Sequence, residues 1–87
     1  MEEITCRFYL RLSVDDKPDV LAKITHILGE GEISIASILQ KESESEKLPV
    51  VLITHTAKEA NIQHAIKKIE HLSVVHGKVV LIRIEDM

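Results

Sequence analysis

The apolar positions of the chain open with an alternation. In CRFYLRLSV, Cys6, Phe8, Leu10, Leu12 and Val14 fall on one side, and Arg7, Tyr9, Arg11 and Ser13 on the other. That period of two marks a strand burying one face. An acidic corner, Asp15 to Asp19 (DDKPD), ends the alternation. Beyond it Val20, Leu21, Ile24, Ile27 and Leu28 recur at helical spacing, and Gly29 and Gly31 end the run. ISIASILQK, Ile33 to Lys41, is β-branched enough for a second strand. ESESEK, Glu42 to Lys47, is too polar to bury and predicts a hairpin loop. LPVVLITH, Leu48 to His55, returns as a third strand, with Pro49 near its start, where a missing N–H matters least.

Thr56-Ala57-Lys58-Glu59 matches a capping box, in which the threonine hydroxyl accepts from the Glu59 N–H while the glutamate reaches back. The helix it predicts sets Ile62, Ala65, Ile66 and Ile69 on one stripe and ends near His71 or Leu72. SVVHGKVVLIRIED, Ser73 to Asp86, closes the chain as a fourth strand, with a bulge or bend at Gly77. The order is βαββαβ. Two crossovers around a central hairpin predict an α+β, ferredoxin-like arrangement: a four-stranded antiparallel sheet with both helices on one face.

With one face covered by helices, the other should be polar in a lone domain. Here it is not. Val79 and Leu81 alternate against Val80, Ile82 and Ile84; Val51 and Ile53 against Val50 and Leu52; Ile35 and Leu39 against Ala36 and Ile38. Three of the expected strands are apolar on both sides, which points to a surface that something covers.

At 87 residues the chain is a single domain, residues 1–87. Its 45% hydrophobic and 29% charged content is that of a globular protein. No apolar run is long enough for a membrane helix, and MEEIT carries acid where a secretory leader carries base, so a cytoplasmic location and no membrane partner are expected. A net charge of −3 with scattered Lys and Arg, and only 2% aromatics, argue against nucleic acid. Cys6 is the only cysteine and reads as a small core residue.

The chemistry-bearing residues are sparse. Asp15, Asp16 and Asp19 are close in sequence, yet no nucleophile with an adjacent base and no glycine-rich phosphate loop accompanies them. A first loop that cradled an acyl phosphate would be cationic, and this one is acidic. Five histidines, His26, His55, His64, His71 and His76, lack the spacing of a dedicated metal site, so neither catalysis nor a metal is expected. The corner itself is more suggestive. A helix starting near Pro18 offers unsatisfied N–H groups and the positive end of its dipole, a seat for a carboxylate. Asp16 could cap those groups or meet an ammonium, so a zwitterion would suit the pairing. An Asp cap with a Pro first turn is the plainer reading of the same residues.

Asp16-Lys17-Pro18-Asp19-Val20-Leu21 resembles the first loop of the ACT domain, typically Asp-x-Pro-Gly-Val-Leu. More narrowly, FYLRLSV, DKPDVLAKITHILGEGEISIASILQK, LPVVLITHTAKEANIQHAI and RIED resemble the C-terminal regulatory domain of bacterial homoserine dehydrogenase. The resemblance implies a non-catalytic sensor, excised from an NAD(P)-dependent enzyme whose catalytic domain, and cofactor, lie outside this chain. It implies a homodimer joined through sheet edges, with a small amino acid, threonine by the pathway, held between the copies. Carried over, the effector residues are Asp16, Pro18, Asp19, Val20 and Leu21 of one copy. From the other come Ile33, Ser34, Ile35 and Ala36, with Gln40 further along the strand. Ser34 or Gln40 would meet the threonine hydroxyl, and Ile35 or Leu21 its methyl. Two positions depart from the family pattern: Asp19 replaces glycine, and Ser34 stands where many members carry asparagine. A carboxylate at 19 is expected to fill the space and repel the effector's own carboxylate. An oligomerisation module without an effector therefore stays open as a second reading, and a free-standing metal binder or small hydrolase as a third.

Overall fold

The opening alternation becomes the central strand of the sheet. A computed structural model of the chain describes residues 4–40 and 47–84. Its elements are β1 (Thr5–Asp15), α1 (Val20–Glu30), β2 (Ile35–Gln40), β3 (Lys47–Thr54), β4 (Ala57–Lys58), α2 (Glu59–Glu70) and β5 (Val75–Ile84). β1 pairs antiparallel with β3 through Leu10↔Leu52 and with β5 through Leu10↔Leu81, and β2 lines the outer edge of β3. The expected ferredoxin-like order is present. β4 is an addition, two residues that pair with Thr5 and Cys6. Of the expected hairpin loop, residues 42–46 lie outside the described residues, and Lys47 is already the first residue of β3. No helix among the described residues is long and apolar enough to cross a membrane.

The alternation sorts as its period requires. Phe8, Leu10, Leu12 and Val14 are buried, with Val50 and Leu52 beside them on β3. Both helices cover this face. α1 buries Val20, Ile24 and Leu28, one residue per turn, and α2 buries Ile62, Ala65, Ile66 and Ile69. Each of the Val, Ile and Leu side chains stabilises by about 1.5–3 kcal/mol when fully buried. Cys6 is half-buried and packs against this core.

The capping box does not form. Thr56 is followed by the β4 pairing, so the residue before α2 is Lys58, in extended conformation and with no side-chain cap. The Glu59 N–H donates instead to the Ile4 carbonyl at 2.9 Å. The Glu59 carboxylate accepts from Arg83 Nε at 2.7 Å rather than turning back. A backbone acceptor from the far end of the chain has taken the place of the threonine. The same junction explains Thr54, a fully buried polar residue. Between Tyr9↔Ile53 and Cys6↔Ala57 the β3–β4 side carries one residue more than β1. The Phe8 N–H, left without a carbonyl opposite, donates to Thr54 Oγ1 at 3.1 Å. That hydroxyl in turn donates a hydrogen bond to the His55 carbonyl at 2.8 Å.

The bulge at Gly77 is present. Arg11 pairs with Val80 but Ser13 with His76, so β5 accommodates extra residues there, and Gly77 takes φ +74.

The face away from the helices matches the two-sided pattern on β3 and β5 but not throughout β2. There a register shift between Ile35 and Ser37 pairs Ile35 with buried Thr54 and turns it to the core, away from the side of Leu39. Residues paired across strands share a face, which places Leu39, Val51, Arg11 and Val80 in one row and Ser37, Ile53, Tyr9 and Ile82 in the next. Arg7 and Ile84 begin a third. Leu39, Ile82 and Val80 are 62%, 52% and 39% exposed. Ile38, paired with Leu52, lies on the opposite side of β2 and is exposed at the sheet margin, and Ala36 falls at the register shift between Ile35 and Ser37.

Candidate functional site

The acidic corner closes tightly at the end of β1. The Asp15 N–H donates to the Val74 carbonyl at 2.8 Å, keeping Asp15 in the sheet. The Lys17 N–H reaches back to the Asp15 carbonyl at 3.0 Å, and the Val20 N–H to the Lys17 carbonyl at 3.3 Å. The chain thereby turns and enters α1 at Val20, two residues beyond Pro18.

Neither aspartate caps the helix. Asp19 precedes α1 with φ −93 and ψ −1, and its side chain makes no capping bond. It pairs instead with Lys23, one turn on, at 3.2 Å. That hydrogen bond, with a lesser one from its own backbone, holds the Asp19 carboxyl below its ordinary value. Asp16 is exposed and caps nothing. The Leu21 and Ala22 N–H groups find no acceptor among the described residues. The helix start is therefore available to an anion.

A depression of about 410 Å³ lies over this corner, lined by Val14, Asp15, Asp16, Lys17, Pro18, Val20, Leu21 and Gln40. Its volume is in the range of small-molecule pockets, roughly 300–1,000 Å³. Val14, Val20 and Leu21 supply apolar surface, Asp15 and Asp16 carboxylates, Lys17 a cation and Gln40 an amide. Asp15 is held in place by the His76 ring, whose Nε2 contacts Asp15 Oδ1, and more loosely by Lys17 at 3.9 Å. The hydrogen bond from His76 comes first in keeping the Asp15 carboxyl below its ordinary value, with the charges of Lys17 and Lys47 adding.

Of the residues the ACT resemblance points to, Asp16, Pro18, Val20, Leu21 and Gln40 share this depression. Asp19 is not among its lining residues, and its conformation needs no glycine. Ile33 is buried in the core, Ser34 and Ala36 are exposed, and Ile35 packs against the core. Ile35 pairs with Thr54 and Gln40 with Val50, so the first residues of β2 sit roughly 17 Å along the strand from Gln40. Within one chain they stand apart from the corner. Three lining residues, Val14, Asp15 and Lys17, were outside the expected set. His76, the partner of Asp15, is contributed by a strand 61 positions later. Only the β1–β5 register set by the Gly77 bulge reveals it. Of the remaining histidines, His26 pairs with Glu30 at 3.0 Å and His71 Nδ1 lies 2.7 Å from the Lys67 carbonyl. Among the described residues no three His, Cys, Asp or Glu side chains gather as a metal site.

Residues 8–73 match the ACT domain family. The chain belongs to that family. It is 41% identical to the homoserine dehydrogenase of Methylobacillus glycogenes over 98% of its own length and 21% of that protein's. The crystal structure of a homoserine dehydrogenase from Thiobacillus denitrificans superimposes with a TM-score of 0.88 at 44% identity, covering 95% of this chain and 18% of that one. An ACT domain from a GTP pyrophosphokinase of Chlorobium tepidum shares the fold at a TM-score of 0.71 and 14% identity. This ACT domain thus spans about a fifth of the curated relatives it matches. It resembles the ACT part of homoserine dehydrogenases.

Proposed function

We propose that this ACT domain is the non-catalytic regulatory part of a cytoplasmic homoserine dehydrogenase, sensing threonine as a feedback effector between two copies joined at their sheet edges. The nicotinamide cofactor, on this reading, belongs to the catalytic part outside the chain. The observation that carries the reading is the open depression at the corner, where a free helix start, carboxylates and an apolar wall meet. A zwitterion answers all three. Its carboxylate would take the Leu21 and Ala22 N–H groups, its ammonium would lie toward Asp16, and its side chain would lie along Leu21. Gln40 offers a donor and an acceptor to a hydroxyl. The second wall would come from Ser34 to Ala36 of the neighbouring copy, which a single chain does not bring to its own corner.

Inhibition would require two arrangements of the parent, with threonine preferring one. Calorimetric titration of the 87-residue chain with threonine, alongside sedimentation, tests the proposal. Saturable binding to a dimer is expected, with affinity reduced by Asp16→Asn. A dimer silent to threonine and to related amino acids at millimolar concentration would leave an oligomerisation module without an effector. A monomer that binds nothing would remove both readings.

A further inference from the structure

The open face of the sheet is unaccounted for by the corner. It is apolar at its margins, through Leu39, Val80 and Ile82, and cationic along its central strand, through Arg7 and Arg11. No carboxylate shares those rows, although the chain as a whole carries a net charge of −3. Arg11 is exposed and forms no ion pair among the described residues.

We infer that this face docks against the catalytic part of the parent polypeptide, on an apolar surface that places at least one carboxylate over Arg11. The inference rests on the regulatory reading above. The charge of the face disfavours a second copy, and its size suits a tethered partner. Packing two such faces together would bring four arginines into one desolvated seam with no acid from those rows to answer them, which costs free energy steeply as water is excluded. The footprint is also small. Four strands by three rows span roughly 20 by 20 Å with side chains, on the order of 400 Å². That is the size of a functional patch, but about half of the ~800 Å² per partner that a stable independent complex buries. A tether supplies what the area lacks, because linked partners meet at millimolar effective concentration. The relatives are built so that four-fifths of their length lies outside the matching segment.

The test grafts this chain into the Thiobacillus denitrificans homoserine dehydrogenase in place of its matching segment. Val80→Cys is added in a Cys6→Ser background, and the maleimide reaction rate is compared with that of the same variant in the isolated chain. Docking predicts a rate at least about tenfold slower in the hybrid, restored by Arg11→Glu. Gln63→Cys, on the exposed side of α2, reacts equally fast in both. Equal Val80→Cys rates would overturn the inference, as would a hybrid that fails to assemble. Slowing that grows with the concentration of the isolated chain would assign the face to a second copy and overturn it too. Threonine inhibition of the hybrid separates the two proposals. Fast labelling with inhibition removes docking alone, and slow labelling without inhibition removes the sensor reading alone.

Discussion

Replacing Thr54 by valine should destabilise the domain without touching its corner. The side chain is fully buried, and its hydroxyl is the acceptor for the Phe8 N–H at 3.1 Å. Valine preserves the shape but leaves that amide unsatisfied in the core, a cost of about 1–3 kcal/mol. The methyl that replaces the hydroxyl returns up to about 0.8 kcal/mol of burial. The His55 carbonyl, on an exposed residue, can turn to water. The net expectation is a loss of about 1–2 kcal/mol. For a domain this small that lowers the melting temperature by roughly 4–16 °C. Urea unfolding should show a lower midpoint at unchanged slope, and the Phe8 amide should exchange faster relative to its neighbours. Thr54→Ser keeps the hydroxyl, so Phe8 protection should survive although a methyl is lost. Phe8 lies roughly 20 Å along β1 from Val14, so amino-acid binding should be unaffected in either variant. If Thr54→Val melts at or above the wild-type temperature, with Phe8 still protected, the hydroxyl is not what satisfies that amide.

Three further outcomes follow from the corner and the bulge. The lowered carboxyl of Asp15 contributes stability that is fully present above its ordinary value near 3.8 and is lost as pH falls through the lowered one. Asp15→Asn should therefore be less stable than wild type at pH 7, and urea midpoints of the two should converge below about pH 4; parallel curves across that range would refute the link to His76. Gly77→Ala places a side chain at φ +74 with open space around it, so the cost is backbone strain alone, about 1–2 kcal/mol. Gly77→Asn should be milder in the same thermal melt, and equal losses would point to packing instead. Asp19→Gly should leave threonine affinity unchanged, because the carboxylate faces Lys23; a gain of about tenfold in calorimetry would show that Asp19 does obstruct the site.

What could be read from residue order was whatever a local period encodes. The alternation from Cys6 to Val14, the stripe from Val20 to Leu28 and the spacing of Ile62, Ala65, Ile66 and Ile69 each repeat a geometric rule within a dozen residues, and each element formed. What could not be read depends on contacts between distant segments. The capping box failed because Ile4 brought a carbonyl to Glu59. Thr54 looked like an ordinary β-branched strand residue until the register between β1 and β4 slipped by one. His76 showed only that it lacked metal-site spacing until the Gly77 bulge set it beside Asp15. Asp19 shows how a local partner also escapes a family pattern. Its family position suggested a carboxylate in the pocket, yet a salt-bridge partner one turn along the helix gives that carboxylate somewhere else to go.

The proposed site also ties sensing to association. The corner supplies a free helix start, a carboxylate and one apolar wall, but the Ser34 to Ala36 end of β2 lies too far along the strand to close the depression from within the same chain. If a neighbour closes it, every contact the effector makes with that neighbour strengthens the pair, and by reciprocity pairing strengthens effector binding. The open sheet face is a surface separate from the corner: its row of Leu39, Arg11 and Val80 crosses the sheet, with Arg11 on the central strand and Leu39 and Val80 on the outer strands β2 and β5. On the two proposals together, the domain would change how its copies meet at one surface while remaining anchored at another. That separation is what a regulatory part needs if a small amino acid at a strand-to-helix turn is to move something much larger than itself.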